Sequence, residues 1–153
     1  MAWTAPRTWV TGELVTASIM NAHIRDNFNY LFSSNGGQAF NSATLATSST
    51  VYTNLGSIAA STIGRRALWW FMTSSWCDGT TRRAYFKFLF DGAEVGVPAS
   101  IRTPGGAADM LGVSNIYLNI PTPAAHTFQI AYKVGGASSV VNVEGFYFIV
   151  VEA

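Results

Sequence analysis

Apolar residues recur at steps of three and four between residues 17 and 32, and this spacing predicts one amphipathic helix. One side of this helix carries its apolar residues, which are Met20, Ile24, Phe28, Leu31 and Phe32. Thr16 is the predicted N-cap, because its hydroxyl can accept a hydrogen bond from a free N–H group of the first turn. The Asn-Gly-Gly sequence at 35–37 is typical of a helix end.

The predicted helix needs a partner surface. A helix of about 16 residues is only marginally stable alone in water, so its apolar face must be buried. The partner is either the rest of this chain or another copy of the same helix. Met20, Ile24, Asn27 and Leu31 are spaced by four, three and four residues, as in a short coiled-coil seam. A polar Asn in such a seam can fix the number of helices, but the spacing leaves both partners open.

After residue 50 the apolar period changes to two, which predicts β-strands. The alternation is clear over 83–90 and 125–134, and Asp-Gly at 91–92 predicts a hairpin turn after the first of these. Residues 67–74 contain the continuous apolar run 68–72, which predicts a strand buried on both faces. Further strands are predicted over 50–58 and 110–120, with a Pro- and Gly-rich loop over 98–108. Roughly seven or eight short strands favour a mainly β chain, with an antiparallel β-sandwich or jelly roll.

The last predicted strand, 140–152, contains the apolar run 146–151. Such a strand would promote aggregation at a sheet edge, so it is predicted to lie centrally. One face would then enter the core and the other would contact a neighbouring subunit, with Phe148 and Val150 as candidate contacts. Gly145 within this strand predicts a β-bulge.

The predicted organisation has three parts. Residues 1–34 form an N-terminal anchor with an arm and the helix, and the small-residue segment 35–49 is a linker or an arm laid along a partner. Residues 50–153 form the β-sandwich, an outward knob.

Composition favours a chain that is built into an assembly. Apolar residues make up 49% and charged residues only 11%, so little charge is available to cover a free surface. The formal net charge of +1 argues against nucleic acid as a partner. No apolar run is long enough to span a membrane, and no signal peptide is recognisable. Cys77 is the only cysteine, which fits synthesis in a reducing cytoplasm.

No catalytic set can be assembled from the sequence, and no metal or cofactor motif is present. His23 and His126 lie in unlike contexts, and His126 is predicted to be a hydrogen-bonded core or interface residue. Cys77 has no evident histidine partner. A glycosidase needs two facing carboxylates, which the scattered acidic residues neither supply nor exclude. We therefore predict a protein that is not an enzyme and that needs no cofactor.

Aromatic residues, at 14%, leave room for a binding function. Trp76 and Tyr117 lie near turns or on alternate faces of predicted strands. They are candidates for stacking on the sugar rings of a host surface glycan, as in a lectin-like knob. The alternative is that these rings fill the core and the subunit interfaces.

The N-terminal segment resembles that of a known group of proteins. The run Trp-Thr-Ala-Pro-Arg-Thr-Trp-Val-Thr-Gly-Glu at 3–13, together with Asn21, Arg25, Asp26 and Asn27, is similar to a segment shared by small structural proteins of tailed bacteriophages. These are proteins of the head-fibre, decoration, tail-fibre or minor-tail type. The resemblance covers roughly the first 30 residues and does not distinguish head from tail.

The resemblance implies a virion protein that is commonly trimeric, is made in the host bacterial cytoplasm and contacts other virion proteins. The expected attachment and oligomerisation residues are Trp3, Trp9, Met20, Ile24, Asn27, Phe28 and Leu31. A tail-associated protein whose knob recognises host carbohydrate is the alternative.

Overall fold

A computed structural model of the chain describes residues 5, 8, 10–12, 14, 16–28, 35–79, 83–103 and 110–152. The chain divides into two compact units, Met1–Ser34 and Asn35–Ala153.

The N-terminal unit contains the start of the predicted helix. An α-helical turn, α1 (Ala17–Met20), continues into a π-helical segment, Asn21–Arg25, and residues 26–28 are again helical. Thr16 has extended backbone angles, and its hydroxyl accepts a hydrogen bond from the Ile19 N–H at 3.3 Å, which confirms the predicted N-cap.

The predicted anchor residues differ in exposure. Met20, Ile24 and Phe28 are exposed. Asn27 is buried, and its amide donates to the His23 carbonyl oxygen at 3.3 Å. Trp3, Trp9 and Leu31 lie outside the described residues, so their roles stay predictions.

The second unit is an antiparallel β-sandwich, which confirms the predicted fold class. Its described residues form eight strands in two sheets of four. Sheet 1 has the order β1-β8-β3-β6 and sheet 2 the order β2-β7-β4-β5. The strands are β1 (Asn35–Thr47), β2 (Thr53–Ser61), β3 (Ala67–Gly79), β4 (Arg83–Phe90), β5 (Ala93–Arg102), β6 (Leu111–Asn119), β7 (Ala125–Val134) and β8 (Ser139–Glu152).

The core lies between the inner faces of the two sheets, where alternate side chains of each strand meet. Its largest fully buried side chains are Trp69, Phe71, Phe86, Phe88, Phe128 and Phe148. The alternation predicted for β4 and β7 is confirmed: Ala84, Phe86 and Phe88 are buried on one strand, and residues 126, 128, 130, 132 and 134 on the other.

Two backbone features follow from glycine. The predicted hairpin between β4 and β5 turns at Asp91 and Gly92, both with positive φ (48° and 82°), as a two-residue hairpin turn of type I′ requires. Gly145 has φ 68° and lies where β8 shifts register against both β1 and β3. This register shift confirms the predicted bulge. A Cβ atom at Gly145 would lie 2.8 Å from the Asn41 carbonyl oxygen, so only glycine fits there without strain.

Two predicted irregular segments are strands instead. The linker predicted over 35–49 was wrong for 35–47, which forms β1 and pairs with β8. Its small side chains do not hinder the ladder, and Ala39 and Leu45 pack on the core. The loop predicted from residue 98 was wrong up to 102, because β5 continues through Pro98. The strand is at a sheet edge and Pro98 lies in its register shift, so its missing N–H costs no ladder hydrogen bond.

Two burial predictions also need correction. The run 68–72 is not buried on both faces, since Leu68 and Trp70 are 40% and 41% exposed while Trp69 is fully buried. β8 is central, as predicted, between β1 and β3. However, Phe148 and Val150 point into the core and cannot contact another subunit. The opposite face of the strand is the exposed one, because a run that is apolar on both faces does not reveal which face turns inward.

Candidate functional site: the outer face of sheet 1

The outer face of sheet 1 carries three rows of apolar side chains, which the strand register places side by side. Directly paired residues in a ladder project from the same face of the sheet. We call the following nine residues the apolar face: Val151, Leu68 and Leu118 in the first row, Ile149, Trp70 and Ile116 in the second, and Phe40, Tyr147 and Met72 in the third.

The apolar face is open to solvent over much of its area. Ile116 and Leu118 are 61% and 60% exposed, and Phe40 and Tyr147 are 56% and 51% exposed. None of the nine side chains is charged at neutral pH. A contiguous exposed patch of this kind marks an interaction surface in soluble proteins.

A groove borders the apolar face at the Gly145 bulge and has a volume of about 520 Å³. The rings of Phe40 and Tyr147 form one side, with centroids 4.6 Å apart, and the exposed carboxylate of Glu144 belongs to its polar lining. The Thr73 hydroxyl donates to the Gly145 carbonyl oxygen and holds the bulge in place. The groove therefore combines an apolar wall with hydrogen-bonding groups.

The outer face of sheet 2 has a different chemistry. Tyr85, Lys87, Gln129 and Lys133 project from its central strands, β4 and β7. Lys87 forms an ion pair with Glu94 at 2.6 Å. The two outer faces of the sandwich are thus unequal, and only that of sheet 1 presents a continuous apolar surface among the described residues.

The two aromatic residues predicted to bind glycan do not form one site. Trp76 is half-buried on the outer side of sheet 1, opposite Asn142 of β8. Tyr117 lies on the inner side of the same sheet, 5.5 Å from the ring of Trp69 and 6.4 Å from that of Phe88, measured between centroids. Tyr117 therefore contributes to the core.

His126 is a buried, hydrogen-bonded residue, in agreement with the prediction of a hydrogen-bonded core residue. Its Nδ1 lies 2.7 Å from the Asp91 carboxylate and its Nε2 lies 2.8 Å from the Thr122 carbonyl oxygen. An ionised carboxylate and a carbonyl oxygen are both acceptors, so this arrangement favours the protonated ring. The bond to Asp91 is the main cause that raises the pKa of His126. The hydrogen bond from the Thr127 N–H is the main cause that lowers the pKa of Asp91, and the hydrogen bond with His126 is the second. The pair fastens the β4–β5 turn to β7.

Cys77 is poorly suited to nucleophilic chemistry. Burial, with a smaller contribution from Asp78, raises the pKa of its thiol to about 11, so the thiol is neutral at pH 7. Its backbone is fastened by Thr103, whose hydroxyl accepts from the Cys77 N–H at 3.0 Å and donates to the Cys77 carbonyl oxygen at 3.2 Å.

In the described part of the chain, no group of three or more His, Cys, Asp or Glu side chains is arranged to hold a metal ion. None of its helical segments has the length and apolar character that crossing a membrane requires.

Comparison with known proteins returns only distant similarity. No family model and no curated protein matches the chain. Among solved structures, the C-terminal domain of EclA, a sugar-binding protein, is 10% identical with a TM-score of 0.45, over 69% of this chain and 76% of that one. A family 35 carbohydrate binding module from Clostridium thermocellum is 12% identical with a TM-score of 0.41, over 76% and 99%. Dimeric latent PorU from Porphyromonas gingivalis is 6% identical with a TM-score of 0.42, over 78% and 13%. Similarity at this level carries no inference about function.

Proposed function

We propose that this chain is a non-enzymatic structural protein of a bacteriophage virion, a homotrimer that assembles through the apolar face of sheet 1. The exposed side chains of the apolar face are the observation that carries the proposal. The N-terminal resemblance to phage structural proteins supports the virion setting and the threefold state. In this proposal residues 1–34 attach the protein to the head or tail surface, and the β-sandwich points outward.

A second copy of the chain is the occupant that best fits the apolar face. The nine residues carry no charge, so a complementary surface needs none, and the same face on another subunit meets this requirement. The chain is also poor in charge, with 11% Asp, Glu, Lys and Arg, which is unusual for a freely dispersed subunit. Because Trp70 and Ile149 lie on the two central strands, the contact would be centred on the sheet and leave its edges free.

The substitution Ile116→Glu is expected to dissociate the homotrimer. It places a charge on the apolar face, and leaving that charge in an apolar contact costs about 3 kcal/mol or more, which corresponds to at least a 100-fold weaker association. Val97→Glu is the matched control, because Val97 is 83% exposed on the edge strand β5 of sheet 2. Light scattering across a concentration series measures the mass. A wild-type protein that stays a single subunit at high concentration, or an Ile116→Glu trimer of unchanged affinity, would contradict the proposal.

Deleting residues 1–34 is expected to abolish attachment to particles and leave the β-sandwich folded. Among the described residues, every member of the hydrophobic core lies in a strand of the unit Asn35–Ala153, so we expect this unit to fold without the deleted segment. Copies per particle are counted by quantitative gel analysis of purified virions, and folding is followed by circular dichroism. Wild-type occupancy by the truncated protein would show that the anchor is elsewhere.

Recognition of a host surface carbohydrate is the second candidate function. The groove at the Gly145 bulge favours it, since saccharide sites combine aromatic surface with a few polar groups. Phe40, Tyr147 and Glu144 would then make the contacts, in place of the predicted pair Trp76 and Tyr117.

A further inference from the structure

The two lysines of this chain lie against one tyrosine ring. Lys87 and Lys133 are the only lysines in the sequence. Their ammonium nitrogens lie 4.1 and 4.7 Å from the centroid of Tyr52. Lys133 also lies 5.4 Å from the centroid of Tyr85, its direct partner in the β4–β7 ladder. Two like charges are thus gathered at one place on the outer face of sheet 2.

Two arginines extend this cluster along β4 and β5. The Arg83 guanidinium lies 6.0 Å from the Tyr85 ring centroid, and its Nη1 donates to the Tyr85 hydroxyl at 3.3 Å. Arg102 is directly opposite Arg83 in the β4–β5 ladder, so both project from the same face. We call the following six residues the cationic patch: Tyr52, Arg83, Tyr85, Lys87, Arg102 and Lys133.

The cationic patch has an excess of positive charge. The patch contains four cations. Among the described residues, the one ion pair that any of them forms is that of Lys87 with Glu94. The whole chain has a net charge of only +1, so positive charge is concentrated here. Like charges directly opposite each other in a ladder are destabilising. An anionic ligand would relieve this repulsion between Arg83 and Arg102 and between the two lysines.

The geometry requires an extended anion. Arg83 and Lys87 are four residues apart on one strand, a separation of about 13 Å, so one small anion cannot contact both. The tyrosine faces already hold ammonium groups through cation–π contacts. Rings that already contact cations offer less surface for stacking on nucleic acid bases, which is the usual contact in proteins that bind single strands.

We propose that the cationic patch binds an acidic polysaccharide, a linear polymer of sugars that carries regularly spaced carboxylates. Arg83, Arg102 and Lys133 pair with successive carboxylates, while Lys87, whose side chain is only 14% exposed and is bound to Glu94, adds its charge at the far end of the patch. This site is on the sheet opposite the apolar face and does not depend on the proposed assembly.

The test measures binding of polygalacturonate to the full-length protein by calorimetry at low and at moderate salt. Neutral dextran and a single-stranded oligothymidylate are the comparison polymers. We expect binding to polygalacturonate only, and weaker binding as salt increases. The variant Lys87→Gln/Lys133→Gln should bind about tenfold more weakly, because it removes two of the four positive charges of the patch and each contributes about 0.7 kcal/mol to binding.

Two control variants and one further test variant complete the experiment. Arg25→Gln/Arg66→Gln removes the same charge at exposed positions outside the patch and should bind like the wild type. Lys87→Arg/Lys133→Arg keeps both charges and should also retain binding. Arg102→Gln is a further test rather than a control, because it removes a charge of the patch without altering the lysines and should weaken binding. The proposal can therefore still be tested if Lys87→Gln/Lys133→Gln fails to fold.

The proposal is overturned if the wild type does not bind polygalacturonate, if Arg25→Gln/Arg66→Gln loses as much affinity as the lysine pair, or if oligothymidylate binds more tightly. Binding by the Ile116→Glu protein separates this site from the assembly. If Ile116→Glu remains trimeric but Lys87→Gln/Lys133→Gln weakens binding about tenfold, the assembly interface is wrong and the polysaccharide site stands.

Discussion

Replacing Trp69 with alanine is expected to lower the free energy of unfolding by about 3–5 kcal/mol, whereas Trp70→Ala should lower it by about 1 kcal/mol or less. Trp69 is fully buried, and its ring lies 4.8 Å from that of Phe128 between centroids. Its indole N–H donates to the Asn119 side-chain oxygen at 3.0 Å. Trp70 is 41% exposed on the opposite face of the same strand. The two adjacent residues therefore form a matched pair.

The measurement is denaturant unfolding at protein concentrations where light scattering gives a single subunit, so that association does not add to the apparent stability. For assembly the order should reverse: Trp70→Ala should weaken trimer formation, because Trp70 is in the middle row of the apolar face. Equal losses of stability from the two substitutions would show that the sheet is not oriented as described.

Strand orientation could be predicted where one face is polar. In β4 and β7 polar residues separate the large apolar ones, so the buried sets, including Phe86, Phe88 and Ile130, follow from the alternation alone. The hairpin at Asp91 and Gly92 was equally predictable, because a two-residue turn with positive φ favours this dipeptide.

The apolar face could not be assigned from the sequence. β3 and β8 are apolar on both sides, so either set of alternate residues could face the core, and the pattern of apolar residues does not choose between the two sets. Trp69 and Trp70, or Phe148 and Tyr147, are equivalent choices at that level. The packing of the two sheets decides between them. It buries Phe148, which was predicted to contact another subunit, and leaves Tyr147 exposed.

The cationic patch was missed for another reason. Lys87 and Lys133 are distant in sequence, and the β4–β7 pairing brings them together. Tyr52, which precedes β2, is brought in by the neighbouring β2–β7 pairing. The only basic doublets along the chain are residues 65–66 and 82–83. The second contains Arg83, but nothing local in the sequence links it to Arg102 or to the two lysines.

Glu152→Leu is expected to lower the free energy of unfolding by about 2–5 kcal/mol. Glu152 is 1% exposed, and its carboxylate accepts from the Ile63 N–H, at 3.0 and 2.8 Å to its two oxygens, and from the Arg65 N–H at 2.7 Å. These bonds hold the segment between β2 and β3 against the end of β8. Leucine fills a similar volume but leaves the two N–H groups without an acceptor, and each such group costs about 1–3 kcal/mol.

Glu144 provides the control for this prediction, because its carboxylate is exposed on the same strand. Glu144→Gln should change the free energy of unfolding by no more than about 0.5 kcal/mol. Glu152→Gln should fall between the two, since one oxygen remains to accept while the new NH₂ group faces a backbone donor. Amide hydrogen exchange at Ile63 and Arg65 localises the effect: protection should fall there first. Unchanged protection at both amides in Glu152→Leu would mean that another group holds this segment.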